Sequence, residues 1–186
     1  AKDIFIPGDI SSAMYFVGAG MFVKNSHIKI KNVGLNPHRI GALKVLKRMG
    51  GKIEIKILKE VNCEPMGEIE VKSSNLKCTE IGPEEIPTLI DEIPLLAVVA
   101  CLAEGKTIIR GAEELRVKET DRLKAIATEL KKLGAYIKEL PDGLEISGPT
   151  KLKGALVQAY GDHRIAMALA IAGLVAQGET AIENPE

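Results

Sequence analysis

The chain has 186 residues, and its 25 basic and 25 acidic side chains give a formal net charge of zero. Apolar residues make up 46% and charged residues 27%, the balance of a globular protein with a buried core. A neutral chain with 3% aromatic residues and no tryptophan argues against nucleic acid or an anionic membrane as a partner.

Hydrophobic periodicity predicts alternating strands and helices over the first 80 residues. The predicted elements are, in chain order, a strand at 4–6, an apolar helix at 11–23 capped by Asp9, a strand at 27–33, an amphipathic helix that Pro37 opens, and strands at 52–57 and 68–72. The first helix is apolar nearly all round, so we expect it to be buried. The second helix has a single apolar stripe, which is typical of a surface helix.

The same order of elements begins again after residue 81. Its predicted elements are an apolar helix at 93–103 that Asp91 opens, a strand at 107–109, an amphipathic helix from Leu123 to the stop at Gly134, and strands at 136–138 and 144–146. A third start follows at Asp162, with an apolar helix up to Val175 and a strand at 180–182. These elements predict a repeat of βαβαββ units.

Charged residues at equivalent places support this repeat. The separation between Asp9 and Asp91 is within one residue of the separation between Arg39 and Arg122. A buried helix needs cover on every side, while each alternating strand has one dry face. The predicted fold is therefore of the α/β class, with the apolar helices inside and the sheets around them.

The domain organisation follows from the same pattern. We expect one domain over 1–186, made of two units at about 1–80 and 81–160 and the start of a third at 161–186. The last apolar helix would be left partly uncovered, which indicates a piece of a larger protein.

A polar stretch, Lys118-Glu-Thr-Asp-Arg122, lies at the start of the amphipathic helix of the second unit. Glu119 and Arg122 are three residues apart and should project from the same side. A cation is unfavourable at a helix N-terminus, where the dipole favours anions, but an anionic ligand would use both the cation and the free N–H groups. A solvated run of charges with i,i+3 pairs is the alternative.

Two further helix starts carry polar side chains that core packing does not require. They are Asp91 and the run Asp162-His163-Arg164. Each aspartate is also a good helix N-cap, and an isolated histidine such as His163 is more often structural than catalytic. Arg164 repeats the anomaly of Arg122, and two such arginines suit bidentate recognition of carboxylate or phosphate.

Other chemical patterns are missing from the sequence. There is no G-x-x-x-x-G-K-[ST] phosphate loop and no G-x-S-x-G elbow, and the three histidines are too scattered for a metal site. The three cysteines lack C-x-x-C spacing, which favours free thiols in a reducing compartment. We therefore expect a cytoplasmic protein that uses neither a metal nor a cofactor.

Four motifs resemble those of the EPSP synthase (3-phosphoshikimate 1-carboxyvinyltransferase) family, in that family's order and spacing. They are Pro7–Ala13, Leu89–Pro94, Leu115–Leu123 and Gly161–Met167. The resemblance runs essentially end to end. It implies two globular halves, each an inside-out α/β barrel of three βαβαββ units, with the active site in the cleft between them. This chain resembles the C-terminal region, so the N-terminal half is an implied partner, and the complete enzyme is expected to be a monomer.

The resemblance implies transfer of the enolpyruvyl group of phosphoenolpyruvate to the 5-hydroxyl of shikimate 3-phosphate, with release of phosphate. The implied roles are phosphoenolpyruvate binding by Arg122 and Arg164 with support from His163, shikimate binding by Lys118, hydrogen bonding and base catalysis by Asp91, and proton transfer at the methylene carbon by Glu119. Glu114 departs from the family pattern, since some members carry an asparagine there that contacts shikimate.

Two alternatives stay open. A related enolpyruvyl transferase that acts on UDP-N-acetylglucosamine shares the architecture, although the motif Lys118–Arg122 favours the shikimate enzyme. A non-catalytic repeat module is the other alternative. On either enzyme reading, the chain by itself is expected to be inactive, because half of the cleft is elsewhere.

Overall fold

The computed structural model describes residues 4–185, which form five α-helices and nine strands. The helices are α1 (Ile10–Phe22), α2 (Gly41–Arg48), α3 (Ile93–Leu102), α4 (Arg122–Lys132) and α5 (His163–Val175). The strands are β1 (His27–Gly34), β2 (Lys52–Val61), β3 (Glu64–Lys72), β4 (Glu80–Ile81), β5 (Gly105–Ile109), β6 (Tyr136–Leu140), β7 (Gly143–Gly148), β8 (Leu156–Gln158) and β9 (Ala181–Glu183). The predicted α/β class is confirmed.

The three apolar helices α1, α3 and α5 contact one another in the interior. In α3 every residue from Ile93 to Cys101 is buried, because the helix has no polar face to turn towards water. α1 and α5 are buried over most of their surface, but Phe16 and Leu174 remain 62% and 61% exposed. The expected arrangement of apolar helices inside is thus found, with one outward face left on α1 and on α5.

The strands form three small sheets around these helices. β1, β3 and β2 make an antiparallel sheet in that order, and β4, β5, β7 and β6 make a second sheet in which only the β4–β5 pair is parallel. β8 and β9 pair in parallel. In the first sheet Ile69 and Val71 of the central strand are fully buried, so its alternating sequence turns one face to the core.

Several predicted boundaries are wrong near the start of the chain. Residues 4–6 form no strand, and the pairing there is a single bridge between Gly8 and Val33. The second helix begins at Gly41 and not at Pro37. The side chain of Asn36 accepts a hydrogen bond from the His38 N–H, and this local turn takes the place of the first helical turn.

The hairpin of β2 and β3 is also longer than predicted, because its strands continue up to a tight turn at Asn62 and Cys63, both with positive φ. β4 and β8, with two and three residues, were not predicted. β8 precedes Asp162 and pairs with β9. The elements β4, α3, β5, α4, β6 and β7 follow one another in βαβαββ order, while the division into units and one domain stays a prediction.

The packing brings together the N-terminal ends of α3, α4 and α5. These three helices contact one another pairwise, and each begins next to one of the polar stretches of the sequence. Asp121 caps α4 by accepting from the Lys124 N–H at 3.0 Å. Three helix starts therefore form one charged region at an edge of the core.

Candidate active site

Arg122, the first residue of α4, lies at the centre of this region. It is 1% exposed, and all three of its guanidinium nitrogens meet carboxylates. Nε donates to Asp162 Oδ2 at 2.7 Å, Nη1 to Asp91 Oδ1 at 3.2 Å, and Nη2 to Glu119 Oε2 at 2.5 Å. A buried guanidinium is tolerated here because each of its three nitrogens donates to a carboxylate.

Asp91 joins the two arginines that the sequence singles out. Its Oδ1 contacts Arg122, and its Oδ2 lies 3.2 Å from Arg164 Nη2. The interpretation of Asp91 as a helix cap is wrong, because it belongs to a 3-10 turn, Ile90–Glu92, and α3 begins without a side-chain cap. Pro94 in the first turn of α3 has no N–H to satisfy, which lowers the demand for a cap.

Asp162 serves both a helix cap and the arginine cluster. Its Oδ1 accepts from the N–H groups of Arg164 and Ile165, so the capping prediction is confirmed for this residue. Its Oδ2 binds Arg122, and the side chain is fully buried. Sequence patterns gave the cap but missed the second bond, because nothing local in the sequence indicates a contact 40 residues away.

Glu119 lies at the open side of the cluster, with 52% of its side chain exposed. The cluster therefore brings together four of the predicted site residues, namely Asp91, Glu119, Arg122 and Arg164. Lys118 points elsewhere, since its Nζ forms an ion pair with Glu114 Oε1 at 2.8 Å. His163 is exposed at the first position of α5.

The charges of the cluster do not cancel. Arg122 and Arg164 bring two positive charges, while Asp91, Glu119 and Asp162 bring three negative ones. The arginines are thus neutralised by the protein itself. An anionic ligand that binds Arg122 has to compete for its donors with the two less buried carboxylates, Asp91 and Glu119.

Arg116 fixes the loop that carries Lys118 and Glu119. Its guanidinium donates to the backbone oxygens of Pro141 and Leu140 and to the carboxylate of Glu139, all at the β6–β7 hairpin. It also contacts Asp121, the cap of α4. The motif Leu115–Leu123 was predicted to bind ligand. Arg116, one of its two arginines, instead uses its donors to hold the loop to the sheet.

Glu92 is a buried acid that the sequence analysis missed. It is 3% exposed, and its Oε1 has no hydrogen-bond partner among the described residues. Burial raises the pKa of Glu92 above its usual value. With Ser11, Arg39 and Asp91 it lines a small cavity of about 50 Å³, so an ionisable group lies directly behind the arginine cluster.

Tyr15 supports Arg164 from the interior. Its hydroxyl donates to the Arg164 backbone oxygen at 3.3 Å, and burial raises the pKa of this phenol well above its ordinary range. Within residues 4–185 no group of three or more histidine, cysteine or acidic side chains is placed to hold a metal ion. Over the same residues, every helix is too short or too polar to span a bilayer.

Comparison with known proteins gives a consistent result. The family model of EPSP synthase (3-phosphoshikimate 1-carboxyvinyltransferase) matches residues 1–186. The protein of that name from Carboxydothermus hydrogenoformans is 52% identical over 185 residues, and the one from Bacillus subtilis is 50% identical over 187 residues. The whole chain aligns, but it spans only 43% and 44% of those two proteins.

Solved structures agree with the sequence relatives. EPSP synthase from Acinetobacter baumannii superposes with a TM-score of 0.94 at 35% identity, over 98% of this chain and 43% of that one. The enolpyruvyl transferase NikO from Streptomyces tendae shares the fold, with a TM-score of 0.74 at 21% identity. The chain therefore belongs to the EPSP synthase family.

Proposed function

We propose that the complete protein carrying this chain transfers the enolpyruvyl group of phosphoenolpyruvate to the 5-hydroxyl of shikimate 3-phosphate and releases phosphate. The main support is Asp91, whose two oxygens link a pair of arginines beside a half-exposed glutamate. Two guanidinium groups suit a small substrate with a carboxylate and a phosphate, and two nearby carboxylates suit proton transfer. The names of the relatives agree with this reaction.

The proposed roles follow from the bonding of each residue. Arg122 and Arg164 bind phosphoenolpyruvate, because their donors converge from two helix starts. Asp91 takes the proton of the attacking hydroxyl. Glu119 adds and removes the proton at the methylene carbon, since it is the carboxylate at the open side of the cluster.

Substrate binding should rearrange the cluster. The phosphate and carboxylate of phosphoenolpyruvate compete with Asp91 and Glu119 for the arginine donors. Release from a guanidinium makes a carboxylate a better base, because the neighbouring positive charge that stabilised the anion is then shared with the substrate. In this way substrate binding would prepare Asp91 and Glu119 for proton transfer, while the fully buried Asp162 keeps Arg122 in place.

The remaining two residues lie at the margin of the cluster. Lys118 would exchange Glu114 for the oxygens of shikimate 3-phosphate, and His163 would reach the phosphoenolpyruvate site from the exposed start of α5. Both substrates enter the cleft between this chain and the N-terminal half of the same enzyme. We propose that this enzyme is a cytoplasmic monomer.

A substrate comparison on the full-length protein tests the proposal. With phosphoenolpyruvate present, release of phosphate is measured with shikimate 3-phosphate and, separately, with UDP-N-acetylglucosamine as acceptor. We expect phosphate release only with shikimate 3-phosphate. Turnover with UDP-N-acetylglucosamine alone would contradict the proposal and indicate the related enolpyruvyl transferase. No turnover with either acceptor would support a non-catalytic module.

A further inference from the structure

Helix α4 contacts the segment before α5 at two places. At its start Arg122 binds Asp162, as described above. Two turns further on, Glu129 contacts both Gln158 and Tyr160. The segment 158–162, which leads from β8 into α5, is therefore fastened to α4 at both ends.

Glu129 is a buried carboxylate whose acceptors are all used. It is 0% exposed, and its Oε1 accepts from the Tyr160 hydroxyl at 2.6 Å. Its Oε2 accepts from the Gln158 N–H at 3.0 Å and lies 2.7 Å from Lys132 Nζ. Burial by itself raises the pKa of a carboxyl, but these three donors outweigh it and hold the pKa of Glu129 below its usual value.

Tyr160 holds an unfavourable backbone conformation. Its φ is +58°, and Gly161 follows with φ of +69°. A side chain with a Cβ rarely adopts this left-handed region, so a tertiary contact must stabilise it here. Backbone bonds from Gly161 to Asn184 and from Asp162 to Ala159 hold this turn, and the Tyr160 hydroxyl adds its bond to Glu129. That hydroxyl bond, followed by burial, raises the pKa of Tyr160 to about 12.

The two left-handed residues decide where Asp162 lies. Its carboxylate has to meet the first N–H groups of α5 with one oxygen and Arg122 with the other. A shift of the preceding turn would break one of these bonds. Because Asp162 is fully buried, water cannot replace the lost partner.

We propose that Tyr160 and Glu129 are positioning residues for the site: their bond fixes the turn before α5 and so sets Asp162, and through it Arg122 and Arg164, in the geometry that binds the anionic substrate. The substrate in this statement rests on the proposed function, whereas the coupling of Tyr160 to Arg122 does not. Neither side chain touches the cluster itself.

The coupling is tested by solvent exchange of the Arg122 Nε–H in the 15N-labelled full-length protein. Its signal is identified by its loss in Arg122→Lys. We expect Tyr160→Phe, which removes only the hydroxyl, to speed exchange of this proton by about tenfold, because Asp162 is no longer held as its acceptor. Tyr136→Phe is the matched control, since Tyr136 is 74% exposed on β6, and it should leave the exchange rate unchanged.

Steady-state kinetics distinguish an effect of Tyr160 on the geometry of the site from an effect on the stability of the fold. In Tyr160→Phe we expect kcat/KM for phosphoenolpyruvate to fall by about tenfold, mostly through a higher KM, at temperatures where the variant is fully folded. A lower melting temperature with unchanged exchange and unchanged KM would overturn the proposal. Faster exchange in a protein that turns over no substrate would support the coupling and contradict the proposed function.

Glu129→Gln gives a second measurement should Tyr160→Phe fail to fold. The amide oxygen can still accept from the Tyr160 hydroxyl, but the negative charge is gone. We expect Arg122 Nε–H exchange to be faster in Glu129→Gln than in the unmodified protein. An exchange rate equal to that of the unmodified protein would contradict the role of this pair.

Discussion

Asp91 differs in what its oxygens bind from Asp9 and Asp162, the aspartates that begin the other two apolar helices. Asp9 and Asp162 accept backbone N–H groups of the helices they cap, whereas both oxygens of Asp91 face arginines. A capping carboxylate is committed to its helix. One held only by side chains is free to change partners when a ligand enters, which is the property that a catalytic base needs.

Glu119 should carry much of the chemistry in the full-length enzyme. Glu119→Gln keeps the shape of the side chain and a possible contact with Arg122 but cannot exchange a proton. We expect turnover to fall by about 10²–10⁴-fold, the usual weight of one acid–base group. Steady-state assays of phosphate release measure this, with the exposed Glu113→Gln as the control. Turnover close to normal in Glu119→Gln would remove this residue from the proposed role.

Glu92 should make stability depend on pH. Burial raises its pKa above the usual 4.5, so the folded state binds this proton more tightly than the unfolded state does. The resulting stability is complete below pH 4.5 and is lost as the pH rises through the folded pKa. Glu92→Gln, which has no proton to lose, should therefore raise the melting temperature near neutral pH and change it little near pH 4.

Thermal unfolding at several pH values tests this, with Glu104→Gln as an exposed control. An equal effect of Glu92→Gln at acidic and neutral pH would show that packing, not ionisation, explains it. The measurement also asks whether the small cavity behind Asp91 holds a charged or a neutral acid when the site is empty of substrate.

At the level of elements, local sequence patterns predicted the helix ends, which are determined by hydrogen bonds between residues close together in the chain. The caps Asp9 and Asp162 and the stop at Gly134 were found, because a cap bonds to a helix within three residues of itself. β4 and β8 were missed, since strands of two and three residues are too short to show alternation. The hairpin turn at 62–63 was missed because it lacks the glycine that usually marks such turns.

In the candidate site, too, the sequence predicted local features and missed contacts between distant parts of the chain. The four motifs located Arg122 and Arg164, yet the bonds of Arg122 to Asp91 and Asp162 join parts of the chain 31 and 40 residues away. Glu129 was even less visible, because a glutamate in an amphipathic helix normally faces water. Its burial depends on Tyr160 and Gln158 from another element, which only the tertiary packing brings near.

Gly134 offers a test of how α4 ends. Its φ is +89°, and a Cβ added there would meet nothing within 4 Å. Gly134→Ala should therefore lower the free energy of unfolding by about 1 kcal/mol through backbone conformation alone. Urea denaturation measures the change. Gly34→Ala is the matched control, since its added Cβ would make only ordinary contacts at 3.6–3.7 Å and its φ is not in the left-handed region, so its stability should change less.

At the level of the whole molecule, the cluster is open on the side of Glu119, where the proposed substrates would approach. Glu119 is half exposed, and the chain spans 43% of its Carboxydothermus relative. We expect the purified chain alone to give no detectable turnover with phosphoenolpyruvate and shikimate 3-phosphate, because one wall of the proposed cleft is supplied by the other half. A phosphate-release assay with the full-length protein as positive control checks this, and product from the chain alone would contradict it.

In the predicted first unit, Asp9 and Arg39 form an ion pair that parallels the pair of Asp91 and Arg122. Arg39 lies 3.0 Å from Asp9, with 50% and 45% of the two side chains exposed, whereas the equivalent Arg122 is 1% exposed. Dissolved salt screens the outer pair and scarcely reaches the inner one. Raising the ionic strength should thus weaken the Asp9–Arg39 ion pair and leave the Asp91–Arg122 ion pair almost unchanged. In the predicted repeat, deeper burial thus turns the counterpart of an ordinary surface contact into a strong local field.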